Sequence, residues 1–332
     1  MNFPPHPYKI DDLTAPAADE NKEVNSMENN NTSFTRAEES GNVWLSQENA
    51  RNTGLTDYGI TPTVLDSEAE VGQAMLNELF ETARAKTGDI NIALLGGRGA
   101  QALHRLLGEL AKTSQYDELL DRLNVFTQDA LAPMSMDNGF SFVRDFERIL
   151  GPDFFKKIKS FTPMQTDTAD LEAGLIAYLN KLESLGGLDI FFIGHGPEEN
   201  QASHLAYIKP YSGAKGHHVA GVIPISSSIL EHHISKFKAG GSAVSEQDET
   251  ECRSAQYILT LGPAAILQAK KVVQSIVDAD TAPAKVQTYA NVLNTRLSSD
   301  RQEALQQLNA NPGLWIRLHR NTKSFVLPNL GL

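Results

Sequence analysis

Short runs of almost uninterrupted apolar residues recur along this chain and alternate with segments whose apolar residues have helical spacing. The most apolar run covers residues 188–193 and ends at Gly194, and an earlier run covers residues 90–95 and ends at Gly96. Strands that are apolar on both faces are typical of parallel sheets covered by helices on each side. The pattern therefore predicts an α/β fold, a mostly parallel, Rossmann-like three-layer sandwich.

The first sixty or so residues differ in composition from the rest of the chain. Residues 1–62 are rich in Asn, Glu, Asp, Pro and Ser and contain few aliphatic residues. Such a segment buries too little apolar surface to offset the entropy lost on ordering. We therefore predict a disordered tail over residues 1–62 and one α/β domain over residues 63–332. Trp44 and Leu45 are exceptions in this tail, and their docking on the domain or on a partner is the alternative.

Charge and cysteine content exclude several classes of function. The net charge of −12, without a basic stripe, argues against a nucleic-acid partner. Cys252 is the single cysteine, so no internal disulfide forms and a reducing compartment fits. The apolar runs are too short to span a membrane, and residues 1–5 lack the features of a signal peptide. We predict a cytoplasmic protein without a membrane partner, and its homo-oligomeric state is left open.

Two of the predicted strands end in residues suited to binding or proton transfer. Ligands of open α/β sheets collect at the carboxyl ends of the strands. Residues 96–99 form a glycine loop before a helix, which is suited to bind an anion through backbone N–H groups, although a plain tight turn fits as well. Asp129 follows the predicted strand over residues 124–127, where its carboxylate would transfer a proton or cap the next turn.

A third loop, over residues 194–210, combines acidic and basic side chains. Its titratable residues are His195, Glu198, Glu199, His204 and Lys209. They indicate an acid–base cluster, and no metal is predicted because no HxxEH or HxH pairing provides ligands. The pairs His217–His218 and His232–His233 are predicted to lie on surface loops or helix ends without a catalytic role. A final strand is predicted over residues 314–318.

In their order along the chain, these loops resemble the glucosamine-6-phosphate isomerase/6-phosphogluconolactonase family over roughly residues 65–325. The loop at 95–99 is similar to the family's phosphate-contacting Ser-Gly-Gly-x-Thr-Pro turn. Residues 125–129 resemble the deaminase segment that ends in Asp-Glu, and residues 194–207 resemble Gly-x-Gly-x-Asp-Gly-His-x-Ala-Phe. Residues 259–269 look more like the deaminase branch than the lactonase branch. The resemblance implies a sugar-phosphate isomerase type of α/β fold.

The resemblance also implies roles for single residues. Asp129 would move a proton between sugar carbons 1 and 2, and His204 with Glu198 would open the sugar ring. In a lactonase, His204 would instead activate water. No cofactor is implied, since carboxylate and imidazole suffice for both proton transfers. The implied phosphate-binding residues are Gly97, Arg98, Gly99 and Lys285.

Several positions depart from the family's pattern. Leu95 stands in place of the serine of the first loop, and Ala130 in place of the glutamate after the aspartate. Lys209 replaces a glutamate of the ring-opening relay, and no arginine stands near Ile229. The resemblance implies a sugar-phosphate isomerase/deaminase acting on an amino-sugar or hexose phosphate. The alternatives are a 6-phosphogluconolactonase-like lactone hydrolase and a non-catalytic sugar-phosphate sensor with a degenerate site.

Overall fold

The computed structural model of this protein describes residues 34–47 and 55–332. The described residues form these β-strands: β1 (Phe34–Glu39), β2 (Asn42–Gln47), β3 (Thr63–Val64), β4 (Ile90–Leu94), β5 (Leu123–Thr127), β6 (Asp129–Ala132), β7 (Ser160–Thr162), β8 (Ile190–Pro197), β9 (Ser203–Leu205), β10 (His218–Pro224), β11 (Tyr257–Leu261), β12 (Lys271–Ile276) and β13 (Thr322–Val326). They also form these α-helices: α1 (Glu68–Ala85), α2 (Gln101–Ala111), α3 (Asp117–Leu120), α4 (Phe142–Lys157), α5 (Leu171–Ser184), α6 (Ser227–Ala239), α7 (Glu246–Arg253), α8 (Pro263–Gln268), α9 (Ala284–Asn294) and α10 (Arg301–Ala310). None of these helices is long and apolar enough to cross a lipid bilayer.

The central sheet contains seven parallel strands in the order β3-β13-β12-β8-β4-β5-β7. The short strand β9 pairs antiparallel with the end of β8. The chain leaves β4 towards β5 on one side, and it later returns to place β8 on the other side. A crevice opens at the carboxyl ends of strands where the order reverses in this way. The sheet confirms the predicted parallel arrangement and places the crevice beyond β4 and β8.

The two faces of the central sheet are covered by different elements. Ile90, Ile92 and Leu94 of β4 pack in one apolar cluster with side chains of α1, α2 and α4. Ala93 and Phe191 belong to a second cluster with side chains of α5 and α8. Alternate side chains of a strand point to opposite faces, so each strand contributes to both clusters. The result is the predicted α/β three-layer fold.

A second, antiparallel sheet in the order β1-β2-β10-β11-β6 shares an apolar cluster with the central sheet and was not predicted. Its apolar side chains, such as Leu45, Val222 and Leu259, belong to the same cluster as Phe191. Asp129 is the first residue of β6 and pairs with Thr260 of β11. The second sheet therefore runs from the N-terminal strands to the edge of the crevice.

The prediction of a disordered tail over residues 1–62 is wrong for residues 34–47, which form the β1–β2 hairpin. Trp44 is 0% exposed, and its indole N–H donates to the Ser212 carbonyl oxygen at 3.0 Å. The Trp44 ring stacks on His218 with 5.2 Å between the ring centroids. A buried tryptophan and a full set of strand hydrogen bonds offset the ordering entropy, so the docking alternative is the one the structure shows. Residues 1–33 and 48–54 lie outside the described residues.

The strand predicted over residues 314–318 is also wrong. These residues lie in a 3-10 helical segment, Pro312–Leu318, and the last strand is β13, which pairs parallel with β12. Pro312 has no N–H to give to a sheet, and the Asn311 side chain accepts the Gly313 N–H and so begins a turn. The segment is buried, and a short continuous run of apolar residues is as compatible with a buried helical turn as with a strand.

Candidate functional site

A cleft of about 640 Å³, including open solvent at its mouth, lies at the carboxyl ends of β4, β5, β8 and β12. It is the crevice expected where the strand order reverses. Six of the seven residues assigned a catalytic or phosphate-binding role line it: Gly97, Arg98, Gly99, Asp129, His204 and Lys285. His195 of the third loop lines it as well. Side chains of α6 line it as well. The structure thus brings together residues that lie far apart in the sequence.

The glycine loop after β4 presents backbone N–H groups to the cleft. Gly97 has a φ of 73°, a conformation that favours glycine, and a single 3-10 turn then leads into α2. The N–H groups of Gly97, Arg98 and Gly99 have no protein acceptor among the described residues. The guanidinium of Arg98 forms an ion pair with Glu68. The loop therefore offers donors for an anion at the start of a helix.

Two lysines add positive charge to the same region. Lys285 is buried and forms an ion pair with Asp278. Burial raises the pKa of the Asp278 carboxyl, but the attraction of the Lys285 ammonium outweighs it and the pKa is lowered. Lys236 of α6 also lines the cleft and donates to the Thr281 hydroxyl, and the described residues give it no carboxylate partner. The sequence interpretation missed Lys236.

Asp129 lies at the floor of the cleft with only 2% of its surface exposed. Its Oδ2 accepts a hydrogen bond from the Gln128 side-chain amide. Burial raises the pKa of the Asp129 carboxyl to about 7, and the Gln128 bond offsets only part of this rise. A carboxyl group with a pKa near neutrality can both take and return a proton.

His204 lies beside the cleft in β9, with its ring fixed on several sides. The Tyr207 backbone N–H donates to Nδ1 at 3.0 Å, and the Tyr207 ring stacks on the imidazole at a centroid distance of 4.4 Å. A Cβ atom at Gly196 would lie 2.2 Å from Cε1 and Nε2, so only glycine leaves room for this ring position. Burial and nearby positive groups lower the pKa of His204 well below its ordinary value.

Glu198 does not join the other predicted residues. Its Oε1 accepts hydrogen bonds from the Ser226 hydroxyl at 2.6 Å and from the Glu199 N–H at 2.8 Å. The side chain caps the short turn after β8 and does not line the cleft. Lys209 donates to the Pro224 carbonyl oxygen at 2.6 Å and is likewise absent from the lining. The four residues between Glu198 and Ser203 form a short turn, and Glu198 does not reach the cleft. The spacing of residues in the sequence does not reveal this turn.

Three of the four paired histidines occupy places different from those predicted, whereas His217 lies at an exposed turn as expected. His232 and His233 lie inside α6 and line the cleft. The His233 Nε2–H donates to the Phe140 carbonyl oxygen at 2.7 Å, and burial lowers the pKa of both histidines to about 4. His218 is buried in β10 under Trp44. Within residues 34–47 and 55–332, no group of three His, Cys, Asp or Glu side chains lies close enough to hold a metal ion.

No protein-family profile matches this chain, and no curated protein matches it. Solved structures do match. A monomeric glucosamine-6-phosphate deaminase of the NagB superfamily superposes with a TM-score of 0.63 at 18% identity, over 82% of this chain and 99% of the other. The 6-phosphogluconolactonase from Trypanosoma brucei gives 0.59 at 18% identity over 82% and 98%, respectively. The lactonase from Thermotoga maritima gives 0.56 at 16% over 80% and 99%.

These matches confirm the predicted resemblance at the level of the fold. The deaminase and the lactonases superpose to a similar extent, so the preference for the deaminase branch stays a prediction. The match covers almost the whole of each neighbour and about four-fifths of this chain. This chain has the fold shared by a glucosamine-6-phosphate deaminase and the 6-phosphogluconolactonases.

Proposed function

We propose that this protein is a sugar-phosphate isomerase or deaminase that moves a proton on the carbon next to a carbonyl group. The observation that carries the proposal is Asp129, a buried carboxyl at the floor of the cleft whose pKa is raised to about 7. A general base works best when its pKa is close to the working pH. The fold neighbours act on sugar phosphates, which supports that substrate class.

The phosphate would bind at the end of the cleft formed by the glycine loop and α6. The N–H groups of Gly97, Arg98 and Gly99 face an anion there, with Lys236 and Lys285 adding positive charge. Hydrogen bonds from charged donors to an oxyanion are stronger than neutral ones. In this proposal Lys236 takes the place of the arginine that the sequence lacks near Ile229, and Glu198 has no role.

The lactone hydrolase is the second candidate, and the lactonase folds among the neighbours support it. Hydrolysis would need a base that activates water. The Tyr207 N–H occupies the Nδ1 lone pair of His204, so this ring is poorly arranged for that task. The proton-transfer reaction, which uses Asp129, is therefore the better supported of the two.

The test is deuterium uptake from D₂O into a panel of triose to hexose phosphates and amino-sugar phosphates. We expect uptake at the carbon next to the carbonyl with at least one member of the panel. Asp129→Asn keeps the shape and removes the base, and should slow uptake by about 10²–10⁴-fold with little change in binding. Asp145→Asn alters another buried carboxyl that lies outside the cleft, and it should leave uptake unchanged.

Uptake that is insensitive to Asp129→Asn would contradict the assignment of the base. Hydrolysis of 6-phosphogluconolactone without deuterium uptake would favour the lactone hydrolase. Tight binding of a sugar phosphate without either reaction would indicate the non-catalytic sensor.

A further inference from the structure

The position of the proton on His204 follows from one hydrogen bond. A neutral imidazole carries one N–H donor and one acceptor nitrogen. The Tyr207 N–H donates to Nδ1 at 3.0 Å, so Nδ1 is the acceptor and the proton lies on Nε2. Burial lowers the pKa of His204 well below its ordinary value, so the ring does not gain a second proton near neutral pH. His204 is therefore held as a neutral hydrogen-bond donor.

The Nε2–H of His204 is available to a ligand. Among the described residues, the one hydrogen bond to the His204 ring is that to Nδ1, and the ring lines the cleft that also holds Asp129. The Tyr207 ring on His204 and the missing side chain at Gly196 fix the ring orientation. A fixed N–H donor that faces a reaction site can stabilise negative charge on a substrate oxygen.

Opening a cyclic sugar requires a different group. The anomeric hydroxyl must lose its proton to a base, and the ring oxygen must gain one. His204 Nε2 already carries a proton, Glu198 is bonded to Ser226, and Lys209 is directed to the Pro224 carbonyl oxygen. Of the other candidate bases in the cleft, Asp278 is paired with Lys285. The His195 Nε2 lies 3.0 Å from the Thr288 hydroxyl, and burial lowers the pKa of His195 to about 3, so it is a weak base. His232 lies one helical turn from Lys236, at the cationic end of the cleft.

We propose that the cleft binds its sugar phosphate in the open-chain form, with the His204 Nε2–H donating to the carbonyl oxygen. This inference rests on the proposed proton transfer by Asp129. The Asp129 carboxylate takes the proton from the carbon next to the carbonyl, and the C–H electron pair forms the C=C bond of an enediolate. The carbonyl π pair moves to oxygen, where the Nε2–H stabilises the charge. Asp129 then returns the proton to carbon. The favoured substrates are sugar phosphates whose phosphorylated hydroxyl is the one that ring closure would need.

Nitrogen NMR tests the proton position directly. In protein labelled with ¹⁵N-histidine, and assigned with His204→Gln, we expect a pyrrole-type Nε2 and a pyridine-type Nδ1 between pH 6 and pH 8. A proton on Nδ1, or an imidazolium in that range, would overturn the proposal.

The donor role is tested with erythrose 4-phosphate, which cannot close a five-membered ring because its O4 is esterified. His204→Ala should slow deuterium uptake into this sugar by about 10²–10³-fold, the typical cost of losing one oxyanion donor. His204→Gln keeps an N–H donor and should lose about tenfold or less. Equal losses in both variants would show that His204 transfers protons, which contradicts the proposal. His217→Gln, at an exposed site, is the matched control.

The open-chain requirement is tested with glucose 6-phosphate, which is almost entirely cyclic. If about 1% of a sugar is in the competent form, its apparent kcat/KM falls about 100-fold, so the cyclic sugar should be that much slower. The protein should also leave the mutarotation of α-glucose 6-phosphate at its spontaneous rate. Faster mutarotation, or Asp129-dependent uptake that is equal for both sugars, would overturn the inference alone. Absence of uptake with every sugar phosphate would instead refute the proposed function.

Discussion

The indole N–H of Trp44 donates to the carbonyl oxygen of Ser212 and so joins the N-terminal hairpin to the loop that follows His204. Because Trp44 is fully buried, Trp44→Ala should lower the free energy of unfolding by about 3–5 kcal/mol. Urea unfolding measures this change. Tyr58→Ala removes an exposed aromatic ring and should change stability by about 0.5 kcal/mol or less. An unchanged midpoint for Trp44→Ala would mean that the hairpin does not contribute to the folded domain.

Lys236 should bind the phosphate group. Lys236→Ala removes a charge-assisted hydrogen bond and should weaken binding of a phosphorylated sugar by about 10–100-fold, with little effect on the unphosphorylated analogue. Lys238→Ala is the matched control, because Lys238 lies on the same helix but pairs with Glu249 outside the cleft. Calorimetric titration measures both. Equal losses for the two sugars would show that Lys236 supports the structure and does not recognise phosphate.

The buried ion pair between Lys285 and Asp278 should contribute to the stability of the fold. Removing one partner leaves the other charged and buried, so Lys285→Ala should cost about 3–5 kcal/mol. The double variant Lys285→Ala/Asp278→Ala should cost clearly less than the sum of the two single changes, because it leaves no unpaired charge. Thermal unfolding of the wild type, the two single variants and the double variant measures this coupling as a double-mutant cycle. Strict additivity of the single changes would contradict a coupled pair.

The raised pKa of Asp129 predicts the pH dependence of the reaction. The base must be ionised to take a proton from carbon, so kcat/KM should rise with pH and reach half its maximum near pH 7. The residual activity of Asp129→Asn should lack this step. A rise centred near pH 4 would show that the carboxyl keeps an ordinary pKa, and would remove the main support for the proposed function.

The same carboxyl should lower stability as pH rises. Its folded pKa of about 7 lies above the ordinary value of 3.8, so between these values the folded chain holds a proton that the unfolded chain has lost. Stability due to this group therefore falls as pH rises from about 4 to about 7. Relative to Asp129→Asn, the wild type should lose ~4 kcal/mol across this range. The difference between the two proteins isolates Asp129 from the buried histidines, whose lowered pKa values act in the opposite direction.

Local sequence signals were enough to predict strands β4, β5 and β8 of the central sheet, whereas β13 was missed. The apolar run over residues 90–95 contains β4, and the run over residues 188–193 contains the first part of β8. These elements are specified by residues close together in the chain. The second sheet was missed because β2 pairs with β10, and no short-range pattern shows that a six-residue strand in a polar segment has such a partner.

The candidate site was predicted only in part, because some of its residues directly follow strands and others depend on how a helix packs. Asp129 and the glycine loop follow strands directly, so the topology alone places them at the cleft. His232 and Lys236 reach it through the orientation of α6, which depends on how that helix packs. One signal was present: Ile229, His233 and Phe237 recur at four-residue spacing and are buried, which sets His232 and Lys236 at the edge of that stripe.

The pairing of β2 with β10 also constrains the order in which the chain can fold during synthesis. Val43 is the register partner of Val222, so the hairpin has no neighbouring strand until the ribosome has made the first two-thirds of the chain. At typical translation rates this delay lasts roughly ten to forty seconds. Trp44, buried in the finished fold, has no β10 to pack against during that time. Closing such a long loop is slow, so the earliest-made strands of this protein complete its second sheet late.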